Sequence, residues 1–159
     1  MSELPELRDG TPVAAWLFKA NPAVWDVLDA LRSGAAIDTW RMAPSYRTAL
    51  LTPGQPCLLW VTRDPTAPAT PGVFAIGRLT TAAFDDVGDP EDTRWLDPVA
   101  ARQLRPHVGT EMDLLEVPIR AAELRGDPRW RGAEIFRAPR MGSPLAVTPQ
   151  AWSALLERR

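Results

Sequence analysis

The chain has 159 residues, 45% of them hydrophobic and 24% charged, with seventeen prolines and a formal net charge of −2. This composition is globular, the length suits one domain, and the slight acidity excludes a protein that coats nucleic acid by general electrostatics. A single cysteine excludes an internal disulfide framework. No apolar run reaches the roughly 18 residues of a membrane span, and the opening MSELPELRDG lacks the pattern of a secretory signal. A cytoplasmic protein with no membrane partner is expected.

Residues 1–12 read as an N-terminal tail and residues 13–159 as a single domain. Residues 13–19 are apolar with aromatics and end at an Asn-Pro signal, which predicts a strand. Asn21 predicts a helix N-cap, with Pro22 at the first helical position. Val24, Val27, Leu28 and Leu31 share a helical stripe that Gly34 ends. A second strand is expected over 36–42, and a turn or helical piece over 45–51. The break TPGQP follows, then a buried strand at 57–62, CLLWVT.

Residues 63–71 are proline-rich and read as a surface loop. GVFAIGRLT, 72–80, is a clear strand whose two glycines mark a bend or a close backbone approach. DDVGDPED, 85–92, reads as a solvated acidic loop. One or two helical turns are expected over 97–104, and a strand over 112–119, with Pro118 near an edge or an end. A short helix at 121–125 and a last helix capped by Thr148, with Pro149 first, complete the chain. Strands outnumber helices and no βαβαβ alternation occurs. The expected class is mixed α+β, with a small curved or barrel-like sheet and helices packed outside it.

Catalytic chemistry is sparse. His107 is the only histidine and is expected in a loop as a surface or capping residue. Cys57 lies in an apolar strand and reads as a small core residue. No zinc-binding set of the usual types, nucleophile elbow or phosphate loop is present. A non-enzymatic protein with no metal and no cofactor is expected. Residues 125–140 hold five arginines against Asp127 and Glu134. This cluster is either a solvated surface or a phosphate-facing one.

The aromatic residues point further. Trp25 and Trp152 fall on helical stripes and read as core. Trp40 and Tyr46 sit in DTWRMAPSYR, a polar and proline-broken segment that makes a poor core strand. They are expected to line a cleft, where stacking on a flat ligand is worth ~1–3 kcal/mol per base. Lys19 is the only lysine and Asn21 the only asparagine. Strand alternation puts Leu17, Lys19 and Asn21 on one face. Lysine is a compact point charge, unlike the planar arginine fork. Lys19 is thus either a strand-end surface residue or a donor in a narrow site, and Asn21 either a cap or a ligand contact. Lys19→Arg is expected to weaken binding while leaving folding nearly intact.

These motifs have a family pattern. WLFKANP follows the order Tyr-Trp-Leu-Met-Lys-Ser-Glu-Pro, with Asn21 replacing the acidic residue. Trp40 and Tyr46 have the six-residue spacing of a tryptophan–tyrosine pair, PGQPCLLW supplies Gly54 and a strand ending at Trp60, and PGVFAIGRL supplies Gly72 and Gly77. The chain resembles the EVE domain of the PUA-like superfamily, as a divergent member. Pro44 and Ser45 stand where better-known members carry Arg and Asn.

The resemblance implies a curved β-barrel with peripheral helices and an aromatic-lined pocket. Such a pocket reads a modified base, such as a modified cytosine, extruded from DNA; related folds bind RNA. Lys19, Asn21, Trp40, Arg41, Ser45, Tyr46 and Trp60 are the candidate ligand-binding residues. A small-molecule or nucleotide sensor using the same pocket is the alternative, favoured by a pI near 5.4, and a protein-interaction module is a third reading. A basic pocket mouth favours nucleic acid, an acidic one a small ligand.

Overall fold

In the computed structural model, which describes residues 3–158, the apolar run AWLFKA forms strand β1 (Ala15–Ala20). Alternation sends Ala15 and Leu17 into one apolar cluster, and Trp16 and Phe18 into another. Both faces are covered, so the strand is apolar nearly throughout. Its parallel neighbour is β3 (Pro56–Val61). All other pairings are antiparallel, including β7 (Leu145–Val147) on the other edge of β1 and β4 (Gly72–Leu79) beside β3.

The sixteen-residue β6 (Arg105–Arg120) joins two parts of the sheet. Residues 105–109 pair with β2 (Thr39–Arg41) and β5 (Phe84–Asp86). Residues 110–120 pair with β4. Register shifts between Val73 and Ala75 in β4, and between Leu59 and Trp60 in β3, bend the strands. The sheet order is β2-β6-β4-β3-β1-β7, with β5 also on β6. The result is a curled half-barrel with five short helices among the described residues, matching the expected mixed α+β class with a curved, barrel-like sheet and helices outside it.

Gly72 and Gly77 explain how the strands nest. A Cβ on Gly77 would strike the Glu111 carbonyl oxygen and lie 2.7 Å from Met112 Cα. One on Gly72 would strike the carbonyl oxygen of Ile119. Both glycines permit close backbone approach between β4 and β6, as the sequence indicated.

The helices are α1 (Val27–Ser33), α2 (Pro98–Arg102), α3 (Ala121–Arg125), α4 (Glu134–Arg137) and α5 (Pro149–Leu156). Gly34 ends α1 in the left-handed region at φ 72°. Thr148 caps α5, its side chain accepting from the Ala151 N–H at 3.2 Å. Leu7 is buried beside Trp16 and Phe18, and Val13 N–H donates to the Pro5 carbonyl at 2.8 Å.

Four expectations are corrected. Asp26, not Asn21, caps the first helix, accepting from Asp29 N–H at 3.2 Å. Asn21 closes an Asx turn instead, accepting from Ala23 N–H at 2.9 Å. Trp25 therefore lies before the helix and off its stripe. Strand β6 starts at Arg105 rather than 112, which puts His107 in a strand, 7% exposed, rather than in a surface loop.

Cys57 is fully buried in β3, and burial pushes its thiol pKa up to about 12. At pH 8 the folded chain should resist thiol alkylation until it is unfolded by denaturant. Alkylation of native protein at the rate of a free thiol would contradict this placement. No helix among the described residues is long and apolar enough to cross a membrane.

Candidate functional site

A cavity of about 420 Å³ opens between β1, β2, β5 and the first residues of β6. Three indoles wall it: Trp40 from β2, Trp25 from the turn after β1, and Trp95 from the segment before α2. Trp25 and Trp40 meet edge to face, with ring centres 5.9 Å apart at 85°. Trp25 Nε1–H donates to Asp92 Oδ2 at 2.8 Å, and the backbones of Trp25 and Trp95 form an isolated bridge. Arg41 places its guanidinium 5.0 Å from the Trp95 ring and donates to the Ala100 carbonyl.

Gly88 lets the acidic loop close on this wall. Its N–H donates to the Ala101 carbonyl at 2.7 Å. A Cβ there would lie 2.8 Å from both that oxygen and the Trp95 ring. Asp86, Asp89 and Asp92 thus border the cavity together with His107. None of these three carboxylates is among the ion pairs of the described residues. The loop is largely exposed, as read from the sequence, and it also forms one border of the cavity.

Lys19 borders the same cavity from β1. Its Nζ donates to the Pro139 carbonyl at 2.6 Å and the Met141 carbonyl at 3.0 Å. Its backbone N–H donates to Ser143 Oγ at 2.8 Å. Partial burial lowers its pKa. Two of three ammonium protons are engaged. Lys19 therefore ties β1 to residues 139–143. The expectation that it adds little to the fold is corrected.

The structure brings Lys19, Asn21, Trp40 and Arg41 to one cavity. Ser45, Tyr46 and Trp60 do not line it. Ser45 caps the 3-10 helix Tyr46–Leu50, accepting from Arg47 N–H at 3.2 Å. The Tyr46 hydroxyl accepts from Arg8 N–H at 3.1 Å, and the Arg8 guanidinium lies 4.0 Å from its ring centre. Trp60 is 3% exposed and packs edge-on to Phe136.

Sequence reasoning missed Trp25, Trp95, His107 and the three aspartates as cavity residues. One signal was available for Trp95. It stands in EDTRWLDP, as polar and proline-broken a setting as that of Trp40. The arginine cluster is largely engaged within the protein. Arg129 pairs with Asp127 and Glu157, Arg125 covers Phe136, and Arg137 lies 3.6 Å from Glu134.

No family model and no curated protein matches the sequence. The fold, however, is shared along nearly the whole chain. A hypothetical protein from Leishmania major matches with a TM-score of 0.64 at 16% identity, over 92% of this chain and 94% of that one. Rpa0253 from Rhodopseudomonas palustris matches with a TM-score of 0.61 at 18% identity, over 91% and 92%. Human THYN1 protein, solved in complex with 5-methylcytosine-containing DNA, matches with a TM-score of 0.61 at 15% identity, over 91% and 96%. At these identities the likeness is one of fold.

Proposed function

We propose that this chain is a non-enzymatic reader of a nucleobase, foremost a modified cytosine in DNA, with residues 13–159 acting as one domain. The observation that carries the reading is the cavity walled by Trp25, Trp40 and Trp95, with Lys19 and Asn21 beside them. Its size falls within the roughly 300–1,000 Å³ of small-ligand sites. Extruding a base costs a few kcal/mol, and stacking on indoles with hydrogen bonds to the base edge offsets that cost. The shared fold with human THYN1 protein, whose structure contains 5-methylcytosine DNA, supports the same direction. Arg131 and Arg140 are exposed and available for phosphates.

One observation favours a second reading, a sensor of a free nucleoside or similar small ligand. The carboxylates of Asp86, Asp89 and Asp92 at the cavity repel a phosphate backbone on that side. Titration of the chain with duplex and single-stranded oligonucleotides, with and without 5-methylcytosine, against RNA counterparts and free nucleosides, separates the two. Tight oligonucleotide binding that free nucleosides compete away only weakly is the expected result. Nucleosides binding as tightly as any polymer would move the assignment to the sensor.

In that assay Trp40→Ala should weaken binding by ~1–3 kcal/mol through lost stacking. Lys19→Arg should weaken it by about 1 kcal/mol or more and also lower the melting temperature, because two carbonyl contacts are disturbed. Unchanged affinity in both variants would remove the cavity from the binding event.

A further inference from the structure

We infer that the wall formed by β5, the acidic loop and the start of β6 selects a base carrying an exocyclic amino group, of cytosine or adenine type, with His107 as a specificity-determining residue. The inference rests on the base-reading proposal and goes beyond it.

His107 is 93% buried, yet it borders the cavity, and its ring stacks on Phe84 at 6.0 Å. Its Nδ1 lies 2.9 Å from the Arg105 carbonyl oxygen. A carbonyl only accepts, so Nδ1 carries the hydrogen and Nε2 of the neutral ring is an acceptor. Among the described residues, the hydrogen bond recorded for this ring is made by Nδ1 alone.

The aspartates continue the pattern. Asp86 Oδ1 accepts from Val87 N–H at 2.8 Å and Asp89 Oδ1 from Glu91 N–H at 2.9 Å, leaving Oδ2 of each without a recorded partner. The Trp25 N–H is spent on Asp92, whereas the N–H groups of Trp40 and of Trp95, whose ring lies against Gly88, make no hydrogen bond among the described residues. His107 and the aspartates therefore add acceptors to a cavity whose donors are Lys19, Arg41 and the Trp40 and Trp95 N–H groups. Cytosine and adenine present an amino donor where uracil and hypoxanthine present a carbonyl oxygen. An acceptor wall satisfies the first pair and sets lone pair against lone pair in the second.

The test uses single-stranded oligothymidylates with one central cytosine, uracil, adenine or hypoxanthine, and in parallel the four free nucleosides. Wild type is expected to favour cytosine over uracil and adenine over hypoxanthine by at least about tenfold. Asp86→Asn and Asp89→Asn, both at exposed positions, and His107→Phe, which keeps the ring beside Phe84, should each shrink that ratio. Thermal melts report whether each variant folds. Should His107→Phe unfold, the two aspartate variants carry the test. Equal affinity within both base pairs overturns the inference and leaves base reading intact. A preference retained in full by every folded variant overturns the assignment to this wall. No binding of any oligonucleotide or nucleoside, including the 5-methylcytosine probes, overturns both.

Discussion

Glu134→Ala should lower the unfolding free energy by roughly 3–5 kcal/mol, the usual cost of stripping one partner from a buried ion pair. Arg47 Nη1 and Nη2 each lie 2.7 Å from one oxygen of Glu134, in the forked geometry. The two side chains are only 11% and 6% exposed. Glu134 Oε1 also accepts from Ala146 N–H at 2.6 Å, and Arg47 Nη1 donates to the Pro144 carbonyl at 3.2 Å. One carboxylate thus joins the 3-10 helix, α4 and β7. Its loss leaves a guanidinium in the interior without its counter-charge. Chemical denaturation measures the effect. The pair Arg47→Met with Glu134→Leu should recover part of it, since an apolar replacement leaves no orphan charge. A Glu134→Ala variant as stable as wild type would show that the pair contributes nothing.

The same site gives a pH dependence. Burial alone would raise the Glu134 pKa, but the bonds from Arg47 and Ala146 N–H overcome it and hold the group below its ordinary value. Asp127 is held at about 2 by the side-chain and backbone donors of Arg129. Both folded pKa values are depressed. Their stabilisation is therefore complete above the unfolded carboxylate pKa near 4 and is lost as pH falls through the folded values. The melting temperature should fall steeply between about pH 4 and pH 2, and less steeply in the Glu134 variants.

Gly77→Ala should leave little or no folded protein, a loss above about 4 kcal/mol. The added methyl meets backbone, the Glu111 carbonyl and Met112 Cα, and not a side chain able to swing away. Retreat is blocked because β4 is paired on both edges, Gly77 facing Cys57 in β3 and Met112 in β6. Gly132→Ala is the matched control. Nothing lies within 4 Å of a Cβ there, so its stability should stay within about 0.5 kcal/mol of wild type. Circular dichroism and melting of the two variants decide the matter, and a Gly77→Ala protein with the wild-type melt would contradict the nesting of β4 on β6.

Strands β1, β3 and β4 were legible because each is a mainly apolar segment with proline or glycine close to its ends. The site was only half legible. Asn21 and Asp26 are both able caps within one short stretch, and local sequence does not say which the helix uses. Choosing Asn21 put Trp25 on a core stripe and hid its place at the cavity. The acidic run is solvated as read, but its place beside the cavity was hidden because nothing nearby in sequence reveals that Phe84 pairs with His107. Likewise Pro106 and Gly109 masked the first half of β6, whose extended form is set by β2 and β5. Tyr46 carried a family spacing, yet its hydroxyl serves the segment around Arg8.

The division of β6 has an evolutionary consequence. Residues 110–120 belong to the frame, whereas 105–109 lie at the cavity wall with two three-residue strands and a loop. Asp86, Asp89 and Val87 are exposed, and substitutions at such positions usually change stability by less than about 0.5 kcal/mol. Drift there alters the charge and shape met by a ligand and leaves the barrel standing. Under the proposed function, single replacements at these exposed positions would change which ligand the cavity prefers while leaving the sheet as it is.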